Sequence, residues 1–235
     1  MLSSKERFPT GISVGGTIIV IKPILFNTEM VRAILDGRKT QTRRIIKGID
    51  TLNVYRAEPA EDAYETLGAW DFFHGWSENG AMIDAIQAIK APCSVGDVLW
   101  VRETWNHVKF GTGEWHYEYR ADCDDPFKWS NGSFAEWRPS IHMPKEAARI
   151  FLKVKDVRVE RLQDMNEEDA IAEGFADSPA DTDSPLLCFL ELWNSTINKM
   201  DFSKYCWSAN PWVWVIEFER YEKPEWWCRE AVLGP

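Results

Sequence analysis

The sequence predicts an α+β fold: a compact, partly closed β-barrel with helices at its ends. Three observations carry that expectation. Strand-like runs at Thr17–Phe26, Val98–Glu103 and Pro211–Tyr221 lie far apart in the chain. Only a few segments repeat their apolar residues at helical spacing. There is no regular strand–helix–strand alternation of the kind that builds a doubly wound parallel sheet.

In chain order, residues 1–16 are rich in Ser, Gly and Thr and read as a flexible tail. Thr17–Phe26 is β-branched and apolar, hence a strand, and Pro23 marks an edge or an irregularity in it. Asn27 or Thr28 can cap a helix carrying Met30, Val31, Ile34 and Leu35 on one face, with Gly37 as its left-handed stop. Thr40–Ile46 is the next strand. Residues 48–92 and 106–140 read as two insertions into a single domain spanning 17–221. Within the first, the apolar segment Ala81–Ile89 fits either helix or strand; within the second, Trp115–Arg120 fits a strand.

Lys145–Arg149 suits one helical turn. Ile150–Val154 and Val157–Val159 alternate, with a phase slip at Asp156 of the kind a bulge or a sharp bend causes. Asn166 opens a short helix with Asp169 at the capping-box position, and Gly174 closes it. Ser184-Pro185 starts a longer helix whose expected buried stripe is Leu187, Leu190, Trp193 and Ile197. Pro211–Tyr221 is apolar on both faces at first, which predicts a central strand. Residues 222–235 read as a C-terminal tail.

Charge narrows the function classes. With 37 acidic against 27 basic residues the net charge is −10, so no long basic groove is expected. A nucleic-acid role must then rest on a local pocket that takes one or a few nucleotides. Thirteen tryptophans suit a core and rim of indoles, with base stacking as the alternative use. The five cysteines are far apart, no C-x-x-C occurs, and the four histidines lack zinc spacing. Free thiols in a reducing compartment, no metal and no cofactor are the expectation. The longest apolar runs fall short of the roughly 20 residues of a membrane helix, and the N-terminus has no signal-peptide core. A cytoplasmic protein without a membrane partner is expected.

Arg38, Lys39, Arg43, Arg44 and Lys47 form a local basic cluster with no intervening acid. With Trp105 or Trp137 they would make a pocket for a base and its phosphate; the alternative is a basic edge strand that resists aggregation. Lys39 by itself also suits a solvated helix-end charge, and Glu173 belongs to a helix already acidic at Glu167, Glu168 and Asp169. His107 and His142 have no Ser or Cys near them in sequence and read as non-catalytic. Asn131-Gly132-Ser133 matches a glycosylation pattern that a cytoplasmic protein would not use.

The run Ile34-Leu35-Asp36-Gly37-Arg38-Lys39-Thr40-Gln41-Thr42-Arg43-Arg44 resembles the signature of the ASCH family, within the PUA-like superfamily. That signature is a Gly, one residue, a Lys, and an Arg five positions after the Lys, matched by Gly37, Lys39 and Arg44. Many members carry Glu where this chain has Thr42. Thr there is similar to the small bacterial N(4)-acetylcytidine amidohydrolases, in which Gly-Arg-Lys-Thr is followed by a second Thr two residues on; here these are Gly37–Thr40 and Thr42. Val95–Leu99 and Val215–Phe218 resemble further family elements, and the helix Asn166–Gly174 lies where members carry an acidic residue. Trp100–Trp105, Trp137–Pro144 and Asn210–Trp214 resemble a long subgroup seen in phage and prophage proteins. The resemblance spans roughly residues 20–221.

The resemblance implies a pocket that recognises a nucleoside or single-stranded RNA, with activity as an amidohydrolase on acylated cytidine. A non-catalytic RNA- or modified-base-binding module and a ribonuclease are the alternatives, since one fold hosts many activities. Thr42 would be the nucleophile, Lys39 the base and Glu173 the acid; Gly37, Arg38, Arg43, Arg44, Trp105 and Trp137 would hold the substrate. A Thr hydroxyl needs an adjacent base, and Lys serves only if its pKa is lowered. Lys39 and Thr42 are three apart, so a regular strand would point them to opposite faces. They meet only if Lys39 lies on the helix-ending turn and reaches across.

Overall fold

A computed structural model describes residues 11–14, 17–49, 54–60, 68–78, 81–109, 111, 113–125, 127–129, 134, 136–175, 184–224 and 227. In chain order the strands are β1 (Gly11–Val14), β2 (Thr17–Leu25), β3 (Gln41–Ile45), β4 (Val54–Pro59), β5 (Ala69–Glu78), β6 (Ala81–Lys90), β7 (Val98–Arg102), β8 (Trp105–Lys109), β9 (Trp115–Tyr119), β10 (Phe151–Arg161) and β11 (Trp212–Tyr221). The helices are α1 (Thr28–Leu35), α2 (Glu167–Ala172), α3 (Pro185–Thr196) and α4 (Phe202–Tyr205). The fold is mixed α+β, dominated by strands. It divides into two units: one of Met1–Arg32, Gly96–Val154 and Glu219–Pro235, the other of Ala33–Val95 and Lys155–Phe218.

In the first unit the strand order is β1-β2-β7-β10. β1 lies inside the segment expected to be a tail and pairs antiparallel with Thr17–Val20 of β2. Beyond Val20, β2 runs parallel to β7, with Pro23 opposite Trp100. β2 thus pairs with β1 over Thr17–Val20 and with β7 over Ile21–Leu25, and Pro23 sits past the last described β1 partner. Trp100, Trp105, Met143, Phe151 and Trp227 are among the buried residues that form this unit's core. β8 and β9 make a separate antiparallel hairpin. The turn expected at Lys145–Arg149 is a single 3-10 turn, Lys145–Ala147.

In the second unit β11 lies between β10 and β3, the central position its two-sided apolar start predicts. β10 is one continuous strand, Phe151–Arg161, through Asp156; the boundary between the units passes between Val154 and Lys155. α2 and α3 cover β3 and β11 through Leu162, Ala170, Phe189, Trp193, Val213 and Val215. The buried stripe of α3 is Pro185, Phe189 and Trp193, at strict i, i+4, i+8 spacing. Leu187 is exposed, which corrects the expected stripe. β4, β5 and β6 form an antiparallel sheet, so Ala81–Ile89 is strand.

No closed barrel is found among the described residues; the sheets are open. No described helix is long and apolar enough to cross a membrane. Cys93, Cys123, Cys188 and Cys206 are free thiols. Among the described residues no group of three His, Cys, Asp or Glu could hold a metal. Cys228, the Asn131–Ser133 pattern and most of the loop before Ser184 lie outside the described residues.

Candidate active site

The site begins at the end of α1. Gly37, at φ +77°, reverses the chain, and the Arg38 and Lys39 amides donate back to the Ala33 carbonyl at 2.8 and 3.0 Å. This is the left-handed helix stop that Gly at that position permits. The chain is then clamped on both sides. The Thr40 amide donates to the Ala172 carbonyl, the Phe218 amide donates to the Thr40 carbonyl, each at 2.8 Å, and Lys39 bridges antiparallel to Glu173. Gly174 allows the approach: at φ +102°, a Cβ there would lie 2.8 Å from the Ala33 Cβ and 3.1 Å from the Lys39 Cβ.

Lys39 and Glu173 consequently meet in a water-excluded pair. The Lys39 side chain is 0% and the Glu173 side chain 2% exposed. Lys39 Nζ donates to Glu173 Oε2 at 2.6 Å and to the Glu173 carbonyl at 2.8 Å. The other carboxylate oxygen, Oε1, lies 3.4 Å from Arg43 Nη1. Arg43 Nη2 lies 3.3 Å from both Glu160 Oε2 and Asp169 Oδ2. Gln41 Nε2 donates to the Asp169 carbonyl at 2.9 Å and to its Oδ1 at 3.0 Å. Gln41 and Arg43 are two apart on β3 and thus share the face toward α2. Asp169 also closes the capping box with Asn166, so one carboxylate both starts the helix and anchors the strand.

Burial depresses the Lys39 ammonium below its ordinary 10.5; Glu173 pulls the other way, while Arg44 and Arg43 add to the lowering. Burial pushes Asp169 up, but donation from Gln41 and the Asn166 amide, with the Arg43 charge, leaves it below its ordinary 3.8. Arg44 is half-buried, and burial lowers its pKa against the attraction of Glu173.

Thr42 is buried on β3 opposite Ile216, and strand alternation turns it and Arg44 to the face away from Gln41 and Arg43. Lys39 precedes the strand proper and is not bound by that alternation. Arg38 is exposed, donating from Nη1 to the Gly174 carbonyl at 2.6 Å and from Nη2 to Asp36 Oδ2 at 2.8 Å. Trp105 and Trp137 belong to the first unit: Trp105 is a core residue, and Trp137 stands edge-to-face with Trp129 at 4.6 Å.

The structure thus brings Lys39, Arg43 and Glu173 together. It adds Gln41, Asp169 and Glu160, which sequence reasoning did not place at the site. Asp169 was visible only as a cap, Gln41 only as a neighbour in the strand, and Glu160 carried no signal. The arrangement sets an amine and a carboxylate 2.6 Å apart and shielded from water. No family model, no curated protein and no solved structure matches the chain.

Proposed function

We propose that Lys39, Thr42 and Glu173 form the catalytic centre of an ASCH-type nucleoside pocket, on a PUA-like barrel, that hydrolyses the amide of an acylated cytidine. The observation that supports it is the buried Lys39–Glu173 pair, with the lysine held below its ordinary pKa. A lysine so placed can be a neutral amine, the form a general base requires. Thr42 Oγ1 attacks the amide carbonyl, forming a C–O bond, while its proton passes to the Lys39 amine. The tetrahedral intermediate collapses with cleavage of the C–N bond, and Glu173 supplies a proton to the departing exocyclic nitrogen. Water then attacks the acyl–Thr42 ester and gives one proton to Glu173. The C–O bond to Thr42 breaks, Lys39 returns its proton to the Thr42 oxygen, and acetic acid leaves and ionises to acetate in solvent. Arg38 and Arg44 provide positive charge around the pocket.

A second reading has its own observation. Lys39 and Arg43 are already matched by Glu173, Asp169 and Glu160, which suits a module that grips a base without cutting it. Incubation with N(4)-acetylcytidine and chromatography of the products separates the two. The hydrolase releases acetate, and Lys39→Ala and Thr42→Ala each lower the rate by about 10²–10⁴-fold, while Thr42→Ser keeps a hydroxyl and retains activity. Undiminished activity in both alanine variants overturns the triad. Nucleoside binding by wild type without acetate release leaves the gripping module.

A further inference from the structure

The hairpin β8–β9 in the first unit carries a feature that the Lys39 site does not use. Its register sets Trp105 opposite Tyr119, His107 opposite Tyr117 and Lys109 opposite Trp115. Since alternate residues share a face, these six side chains lie on one side, and Asn106, Val108, His116 and Glu118 on the other. The rings on the first side touch in series. Trp105 and Tyr117 have centroids 5.8 Å apart, Tyr117 and His107 stack at 4.7 Å and 21°, and His107 meets Trp115 at 4.8 Å and 37°. The series runs from the core outward: Trp105 is buried, and Trp115 is 60% exposed.

A cation stands at each end. Arg138 lies 5.5 Å over the Trp105 ring and the Lys109 ammonium 5.9 Å over the Trp115 ring. Neither has a carboxylate partner among the described residues. Cross-strand aromatic pairs explain the hairpin's own stability through His107, Tyr117 and Trp105. They do not require the last indole to stand in water with an ammonium above it.

We propose that this aromatic face is a stacking platform for unpaired bases of single-stranded nucleic acid. Trp115 takes a base as the next ring of the series, and Lys109 takes the adjacent phosphate. Stacking with every base is possible because each presents a π-face, so the platform is tolerant of sequence. Charge decides the occupant. The two cations, without a carboxylate partner among the described residues, are complementary to a phosphodiester chain, and alternation places Glu118 on the far face. The site goes beyond the proposed hydrolase and rests on none of its catalytic residues.

Fluorescence anisotropy of a labelled eight-nucleotide single-stranded RNA at low salt tests it. The intact chain binds; Trp115→Ala weakens binding by about 5- to 150-fold, and Trp115→Phe restores most of it. Lys109→Ala reduces the slope of log affinity against log salt by about 0.7. Unlabelled duplex of the same length competes poorly. Trp115 is largely exposed, so its variants are expected to fold, which circular dichroism verifies; Lys109→Ala reads the platform independently of any packing change. Absence of binding by the intact chain, or equal affinity in Trp115→Ala, overturns the proposal. A slope unchanged in Lys109→Ala overturns the phosphate contact.

Discussion

At the scale of single residues, Lys39 is held by opposing forces. Removing water from an ammonium is costly, and Glu173 Oε2 at 2.6 Å offsets that cost. Deleting one partner leaves the other charge buried and uncompensated. Glu173→Ala should therefore lower stability by about 3–5 kcal/mol, measured by urea unfolding, with a smaller loss when Lys39→Met is added. Asp169 governs the acid side. Its folded pKa lies below 3.8, so the unfolded state binds more protons, and its contribution is present above that value and lost as pH falls through the folded pKa. Acid unfolding followed by circular dichroism should shift to higher pH in Asp169→Asn, with a shallower dependence. Lys39 acts at the other end of the scale. Its folded pKa lies below 10.5, so stability rises with pH between the folded value and 10.5.

At the scale of elements, the site depends on how α1 and α2 end and begin. The Asn166–Asp169 capping box starts α2 and at the same time fixes the carboxylate that holds Gln41 and Arg43. Asn166→Ala should cost about 1 kcal/mol as a lost cap, and more if Asp169 turns away from Arg43; thermal unfolding of Asn166→Ala against Asn166→Ser measures the difference. Gly174 is the tighter constraint. A side chain there meets both an unfavourable φ and the Ala33 and Lys39 Cβ atoms. Gly174→Ala should destabilise the chain by about 1–3 kcal/mol and lower any Lys39-dependent activity, because the Lys39–Glu173 bridge must open to admit the methyl group.

At the scale of the whole molecule, a net charge of −10 sets the response to salt. Self-repulsion among the carboxylates is screened as ionic strength rises. The melting temperature should rise between 10 and 150 mM salt, by about 2–4 °C for each kcal/mol gained; a fall would show that surface ion pairs such as Arg158–Glu217 outweigh the repulsion. Dialysis against a chelator should leave the melting temperature unchanged, as scanning calorimetry would show.

Local chemistry determined much of this protein. The stop at Gly37, the Asn166 cap with Asp169, the Ser184-Pro185 start and the central place of β11 all follow from short-range rules, because a cap or a two-sided apolar run specifies its own surroundings. The burial of α3 did not follow: Leu187 and Phe189 are equally apolar, and only the position of β11 selects which of them faces inward. The charge of the site was misleading in the same way. Arg43 stands in a run of bases without a neighbouring acid, yet Glu160 and Asp169, more than a hundred residues away in the chain, close on it. A sequence displays charges along one dimension, whereas ion pairing depends on which strands and helices tertiary packing brings together, and on how far it excludes the water that would otherwise screen them.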